Sequence, residues 1–428
     1  MSQNQGTEQA KLVLQNTMSR QRDAFRPRDP AQVRMFTCGP SVYNRPHIGN
    51  FRTYLFQDVL QRFLEYLGYP VQRVINFTDV EDKAVEEAKR RGLGLFDLTR
   101  GNEKHFLQEA EALQIKMPRE IPRSSTSVEQ AVYLIQILLQ QGYAYWHRGC
   151  VFFDALSFPR FGRLFKLDLS KWPKKRLRFW RDTYQGNRWN LGDFILWHGA
   201  GPGESGAYVW DTEIGPGRPA WNIQDPAMIS KHLGYELDIC CGGVDNLYRH
   251  HDYNIAVMEA VSGQELAPYW LHAEHLLVRG AKMSKSKGNI IYVQDLLQEG
   301  LSPAEVRFYL LSVHYRSKMS LTQQRLVRAR QRLQDIQSML GSLQSLAQKS
   351  APAQAADSSK AQRLREQVQA CLSSDLDVPG VVQVLEEGLQ ELTGKGGPAS
   401  TPEECKAALE ELWGLDQVLR FLGLAGSA

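Results

Sequence analysis

Residues 47–50 (HIGN) carry side chains suited to binding a nucleoside triphosphate. They follow a short apolar segment and begin a stretch whose apolar residues recur with helical spacing. The first turn of a helix offers free N–H groups and a partial positive charge, and the small Gly49 lets a nucleotide approach the backbone. We therefore expect this helix N-terminus to suit a triphosphate.

Residues 282–286 (KMSKS) form a second such segment, in a predicted loop after a late strand. Lys282 and Lys285 can close over a departing pyrophosphate, and we place Ser284 and Ser286 beside the nucleotide. Either segment alone occurs by chance in many chains, and the competing interpretation is a helix cap plus a solvated lysine loop. Together, in this order and on these elements, they predict an enzyme that activates a carboxylate as its adenylate.

The elements around both segments predict the fold class. A strand at 33–39, a helix from residue 47 to about 69, a strand at 71–77 and charged helices at 83–115 follow one another. This is the order of an α/β unit with a doubly wound parallel sheet of the Rossmann type. The pattern stops at about residue 118 and resumes with strands predicted at 236–241 and 275–278.

The predicted domain organisation follows from these changes in pattern. Segment 118–220 reads as a connective domain inserted into the sheet, in which a helix at 128–141 precedes irregular, Trp- and Arg-rich sequence. Everything after residue 292 reads as helical. The predicted parts are an N-terminal extension (1–32), the two halves of the catalytic domain (33–117 and 221–292), the insertion (118–220), a helical stem (293–345) and a C-terminal helical bundle (346–428).

Length and composition restrict the number of domains and the class of protein only broadly. A chain of 428 residues is too long for one hydrophobic core, so two or three domains are expected. A hydrophobic fraction of 43%, a charged fraction of 23% and a formal charge of +4 are ordinary for a globular protein and do not indicate a nucleic-acid binder. The sequence has no apolar run long enough for a membrane span, no secretory signal and no disulfide framework, so we predict a cytoplasmic protein with no membrane partner.

Over about residues 11–424 the sequence resembles the cysteinyl-tRNA synthetases, a family of class I synthetases. The segments that carry this resemblance, in family order, are residues 36–43 (FTCGPSVY), 47–53 (HIGNFRT), 76–83 (NFTDVEDK), 217–221 (GRPAW), 242–245 (GGVD), 250–251 (HH), 282–286 (KMSKS) and 375–379 (DLDVP). The resemblance implies a ligase that uses ATP with Mg²⁺. It also implies that His47 and Asn50 contact the phosphates of ATP and that Gly243 and Asp245 bind the ribose. Lys285 would stabilise the reacting α-phosphate and the departing pyrophosphate.

The same resemblance implies an amino-acid pocket lined by Ser41, Thr78 and Trp221. In the family, two cysteines, a histidine and a glutamate hold a zinc ion that grips the substrate thiolate. This sequence keeps Cys38 and His250, but Asp225 stands at the second cysteine position and Asn254 at the glutamate position.

Two outcomes remain open for the metal. Cys38, Asp225 and His250 could bind zinc with one position free for substrate. Alternatively, because a carboxylate lowers the preference for zinc, the metal is lost and a small polar pocket remains. The pocket is thus expected to take cysteine or a small analogue.

The acceptor is predicted from what the sequence lacks. The family continues into an anticodon-reading domain, whereas this layout is similar to that of the cysteine ligase of mycothiol synthesis. We therefore expect transfer to a small-molecule amine or carrier, with the charging of tRNA-Cys as the alternative. An inactive nucleotide- or RNA-binding paralogue is a second alternative, which intact HIGN and KMSKS segments disfavour. Residues 171–189 hold three Lys, four Arg and five aromatics, a composition suited either to tRNA contacts or to a solvated hairpin.

Overall fold

The computed structural model describes residues 12–168, 193–201, 203–204, 206–284, 287–349, 359–394 and 400–424. The helices in these ranges are α1 (Ile48–Tyr66), α2 (Asp82–Arg91), α3 (Leu95–Ala112), α4 (Val128–Gln140), α5 (Trp221–His232), α6 (Asp252–Ser262), α7 (Val293–Gln298), α8 (Pro303–Leu311), α9 (Gln323–Ala347), α10 (Ser359–Ser373), α11 (Val378–Leu392) and α12 (Pro402–Leu419). The strands are β1 (Val13–Gln15), β2 (Arg22–Ala24), β3 (Val33–Thr37), β4 (Val71–Ile75), β5 (Ala144–His147), β6 (Cys150–Phe153), β7 (Phe194–Gly199), β8 (Gly217–Pro219), β9 (Ile239–Gly243), β10 (Tyr269–Ala273), β11 (Leu276–Val278), β12 (Ala281–Lys282) and β13 (Met319–Leu321).

A parallel sheet with the order β10-β9-β3-β4 forms the centre of the molecule. Its strands are short and mostly apolar, as expected for a sheet covered on both faces. The chain passes from β3 outward to β4 on one side and from β9 outward to β10 on the other. The crevice at the carboxyl ends of β3 and β9 is therefore a topological switch point, where α/β folds bind ligands. The predicted α/β class is confirmed.

The strand predicted at 275–278 exists, but it lies outside the central sheet, and the strand that completes that sheet was not predicted. The fourth strand of the sheet is Tyr269–Ala273, whereas Leu276–Val278 belongs to a separate small sheet with β12 and β13. The sequence hides the fourth strand because His272, a titratable side chain, interrupts its apolar run. The region after residue 292 is not wholly helical either, since Met319–Leu321 pairs in parallel with β11. Three residues are too few to show a period.

The segment predicted to be irregular contains an antiparallel sheet of order β5-β6-β7-β8, packed with α4. Its apolar core is continuous with residues of α5 and α6, and the ring of Phe194 stacks on that of Tyr253 with centroids 3.9 Å apart. The two helices that carry pocket residues are thus fixed against this sheet. The basic segment 171–189 lies outside the described residues.

The N-terminal hairpin of β1 and β2 packs on the edge of the central sheet. Thr17 N donates to Trp270 O at 2.8 Å, and the Asn16 side-chain oxygen accepts from Trp270 N at 3.0 Å. At the other end of the fold, Arg307 of α8 and Asp58 of α1 form a buried ion pair at 2.6 Å. Within the described part of the chain, no helix combines the length and apolar character needed to traverse a bilayer.

Candidate active site

The predicted phosphate site lies at the start of α1. His47 precedes the first helical residue, and its backbone N–H donates to Asn50 Oδ1 at 2.9 Å, which orders the first turn. Burial lowers the pKa of His47, so its imidazole is neutral at physiological pH and can donate one hydrogen bond. A Cβ added at Gly49 would lie 2.8 Å from Met283 Cε, so the two predicted segments are in contact.

The lysine loop reaches the predicted ribose site. Lys282 Nζ lies 3.1 Å from Asp245 Oδ2. Burial raises the pKa of Asp245, but the charge and hydrogen bond of Lys282, together with smaller effects such as that of His275, outweigh burial and lower that pKa, which keeps the carboxylate ionised. Gly243 ends β9 two residues before this acid, and a Cβ added there would lie 2.6 Å from Asp245 Oδ1. Lys285 and Ser286 lie outside the described residues.

Asn289 orders the same loop, and the sequence analysis did not identify it. Its Oδ1 accepts from Ser284 N at 2.9 Å, and its Nδ2 donates to Lys282 O at 3.3 Å. The asparagine thus bridges the two sides of the turn that carries the lysines. Its position three residues beyond the KMSKS segment is the only signal that the sequence gives.

The predicted amino-acid pocket lies beside these groups. Ser41 and Thr78 pair in a parallel bridge between the loops that follow β3 and β4. The hydroxyl of Ser41 donates to Glu81, an acid not predicted from the sequence, and burial raises the pKa of that carboxyl. Trp221, the first residue of α5, stacks on His250 with ring centroids 5.3 Å apart.

The three predicted metal ligands meet at the floor of this pocket. Asp225 Oδ2 lies 3.3 Å from Cys38 Sγ and 2.8 Å from His250 Nε2. Asn76 donates to the other carboxylate oxygen of Asp225 at 3.0 Å, and Asn254 donates to Oδ2 at 3.4 Å. Burial, reinforced by Asp225, raises the pKa of Cys38 well above its usual value, so the metal-free thiol is protonated.

A chain of histidines extends this cluster, and the sequence analysis missed it. His251 Nε2 lies 3.2 Å from Cys38 Sγ, while His251 Nδ1 lies 2.8 Å from His272 Nε2. His272 Nδ1 in turn lies 2.9 Å from Thr17 Oγ1. Burial and then His272 lower the pKa of His251, and burial and then Arg20 lower the pKa of His272 to about 3. Both rings are therefore neutral, the form in which histidine binds metals.

The donors at this floor suit zinc. Cys38, His250 and His251 each offer one ligand atom, and these atoms all lie within 4.8 Å of one another. Sulfur and imidazole nitrogen are the ligands that zinc prefers. Asn254 Oδ1 is also buried here and has no hydrogen-bond partner among the residues that the structure describes. This acceptor is thus available to a group bound in the pocket.

The fold and the meeting of the HIGN helix with the lysine loop define a class I aminoacyl-tRNA synthetase. Solved structures share this fold. The Mycobacterium tuberculosis methionyl-tRNA synthetase in complex with methionyl-adenylate superposes with a TM-score of 0.66, covering 91% of this chain and 92% of its own, at 17% identity. The Agrobacterium radiobacter LeuRS–tRNA–LeuAMS complex gives 0.68 over 93% and 85% of the two chains, at 12% identity.

The proteins similar to this chain in sequence come from a single family of synthetases. The family model for the class I (C) tRNA synthetase catalytic domain matches residues 24–331, and the chain belongs to this family of ligases. Cysteine–tRNA ligase of Brachyspira hyodysenteriae is 40% identical over 317 residues, which are 73% of this chain and 65% of the relative. The Chlamydia muridarum enzyme is 41% identical over 335 residues, or 78% and 70% of the two chains. The match thus spans about two thirds of the length of these relatives.

Proposed function

We propose that this protein joins cysteine, or a small analogue of it, to AMP at the expense of ATP and then transfers the aminoacyl group to tRNA. One observation carries the first step: the HIGN helix start, the Lys282–Asp245 pair and the cluster around Cys38 surround one crevice at the carboxyl ends of β3 and β9. An amino acid held by its side chain at the floor therefore presents its carboxylate toward the phosphate site.

The residues at the mouth of the crevice have separate roles in this proposal. His47, Asn50 and the free N–H groups at the start of α1 bind the phosphates, together with Mg²⁺ supplied with ATP. Gly243 and Asp245 hold the ribose. Lys282 and Lys285 stabilise the charge that moves onto pyrophosphate as the carboxylate attacks the α-phosphorus, with Ser284 and Ser286 beside it. Each such donor typically contributes ~3–4 kcal/mol to the transition state.

The amino-acid side chain lies between Trp221, Ser41 and Thr78 on the walls and the cluster around Cys38, Asp225 and His250 at the floor. We propose that the floor of the pocket, through Cys38 and its neighbouring histidines, binds zinc, which would act as a Lewis acid for the thiolate of the substrate. The sulfur of Cys38 and the ring nitrogens of His250 and His251, which lie within 4.8 Å of one another, support this choice over the metal-free pocket. Without such an ion, few contacts would distinguish a thiol from the hydroxyl of serine.

The relatives of this chain favour a different acceptor from the one that the sequence predicts. The relatives reported above are named cysteine–tRNA ligases, which supports tRNA-Cys, the alternative considered from the sequence. The small amine or carrier that the sequence analysis favoured has no support among these relatives. We therefore propose tRNA as the acceptor.

Amino-acid-dependent exchange of pyrophosphate into ATP tests the first step without reference to the acceptor. Purified protein is assayed with each of the twenty amino acids, with and without added zinc. Cysteine should give the fastest exchange, and zinc-loaded protein should favour it over serine. Exchange with cysteine and serine at equal rates would contradict the proposed side-chain specificity, and no exchange at all would contradict adenylation.

A further inference from the structure

The pair His250 and His251, immediately before α6, offers a different metal site from the one that the sequence predicts. The predicted ligands were Cys38, Asp225 and His250. In the structure, one ligand atom each from Cys38, His250 and His251 fall within 4.8 Å of one another. His251 is fully buried and its Nε2 lies 3.2 Å from Cys38 Sγ. His251 is therefore a candidate ligand in place of the second cysteine or the glutamate, whose positions hold Asp225 and Asn254 in this sequence.

The contacts of His251 on its other side support this assignment. A histidine that binds a metal through one ring nitrogen usually donates the other N–H to a fixed partner, which sets its tautomer and orientation. His251 Nδ1 has such a partner in His272 Nε2 at 2.8 Å, and His272 Nδ1 is held by Thr17 Oγ1 at 2.9 Å. When His251 donates to His272, its Nε2 presents a lone pair on the side of Cys38.

The contacts of Asp225 point to an outer role for this carboxylate. One of its oxygens accepts from Asn76 Nδ2 at 3.0 Å, and the other lies 2.8 Å from His250 Nε2. As a ligand, Asp225 would have to exchange part of this network for the metal. As an acceptor from His250 Nε2–H, it would make the carboxylate–histidine pair common around protein zinc sites, and Nδ1 is the atom that His250 would then offer to the ion.

We propose that Cys38, His250 and His251 bind zinc in this chain, with Asp225 and His272 as the outer hydrogen-bond partners of the two histidines. The proposal deepens the proposed function, on which it rests only for the role of the ion in holding the substrate. One thiolate and two neutral imidazoles leave a net positive charge at the ion. The open position would therefore favour an amino acid with a thiolate side chain, such as cysteine, over one with a hydroxyl group.

Zinc content of matched variants tests the ligand assignment. Full-length protein is produced with ample zinc, purified without chelators and measured by elemental analysis. Wild-type protein and the control Cys240→Ala, which alters a buried cysteine of β9 outside the ligand set, should each hold about one zinc per chain. His251→Asn should lose the ion, whereas Asp225→Asn should retain it with about 10–100-fold weaker affinity. Loss of zinc in Asp225→Asn but not in His251→Asn would overturn the proposal.

X-ray absorption at the zinc edge gives a test that needs no variant. The wild-type spectrum should fit one sulfur and two imidazole rings, whose multiple scattering distinguishes them from a carboxylate. A fit with a single imidazole would contradict the assignment, as would wild-type protein with well under half an equivalent of zinc. Zinc-free protein that still exchanges pyrophosphate would overturn the metal site alone, and zinc-loaded protein that fails to exchange would overturn the proposed function alone.

Discussion

Met283 fills the space beside Gly49, although 234 positions separate them in the sequence: a methyl group added at the glycine would lie 2.8 Å from Met283 Cε. The lysine loop is thus packed against the first turn of α1, and both can contact the same phosphates. Because the methionine methyl is the flexible end of its side chain, it can move aside for a small group. The nucleotide itself has less freedom, since it must approach the backbone at Gly49.

Gly49→Ala should therefore impair catalysis more than folding. We expect kcat/KM for pyrophosphate exchange to fall at least about tenfold, equivalent to ~1.4 kcal/mol of transition-state stabilisation. The midpoint of urea unfolding should stay close to that of wild type, because only Met283 Cε and the His47 ring are approached closely. Steady-state exchange and equilibrium unfolding measure the two effects. Wild-type exchange in the alanine variant would contradict the role of this helix start.

Lys285→Ala should lower the rate of pyrophosphate exchange by about 10²-fold or more with little change in ATP affinity, because its charge is needed only as pyrophosphate departs. Exchange kinetics and ATP titration separate the two quantities. Lys287→Ala is the matched control, since it removes an exposed lysine from the same loop outside the KMSKS segment. An equal loss of rate in both variants would indicate a general effect of loop charge.

Lys282→Ala should change the pH dependence of ATP binding. Lys282 lowers the pKa of Asp245 in the wild type, so the carboxylate remains ionised to lower pH than it would without the lysine. In the variant, Asp245 becomes protonated at higher pH, and the acid limb of the profile of KM for ATP should move upward in pH. Profiles of both proteins measured at constant ionic strength test this. A shift toward lower pH would contradict the contact between these two residues.

Arg307→Ala should lower the free energy of unfolding by ~3–5 kcal/mol, because it removes the buried partner of Asp58 and leaves this carboxylate only the ion pair with Arg62. Arg307 and Arg62 overcome the effect of burial and lower the pKa of Asp58, so this carboxylate stabilises the fold above its unfolded pKa. That contribution is lost as pH falls through the folded pKa. Urea unfolding across pH measures it. Arg363→Ala breaks the exposed pair with Glu391 and should cost under about 1 kcal/mol.

Features of this molecule that depend on neighbouring residues can be predicted from the sequence, whereas contacts between distant residues cannot. The HIGN helix start and the α/β class are encoded within short windows, where strand, turn and helix have recognisable spacing. The partnership of Thr17, His272 and His251 joins the N-terminal hairpin, β10 and the residues after β9, so no window contains it. The strand β10 was not predicted for the same reason. It contains the buried His272, whose hydrogen-bond partners lie far away in the sequence.

Selective charging of tRNA-Cys tests the proposed acceptor. We expect the protein to transfer cysteine to tRNA-Cys and to discriminate against tRNAs for other amino acids. Filter-bound radioactivity with purified tRNA transcripts at physiological salt measures this, because phosphate contacts weaken steeply with salt and carry no sequence information. Rapid adenylate formation without tRNA charging, together with transfer to added small amines, would restore the acceptor expected from the sequence.

Direct detection of the adenylate is the closest test of whether this protein activates an amino acid. Protein is mixed in excess with ATP labelled at the α-phosphate and with cysteine, quenched, and the products are separated by chromatography. We expect a labelled aminoacyl-AMP that forms only when cysteine is present. The variant His47→Ala should form this product far more slowly than wild type. Binding of ATP with no labelled adenylate for cysteine or any other amino acid would contradict it, and would leave a nucleotide-binding protein without ligase activity.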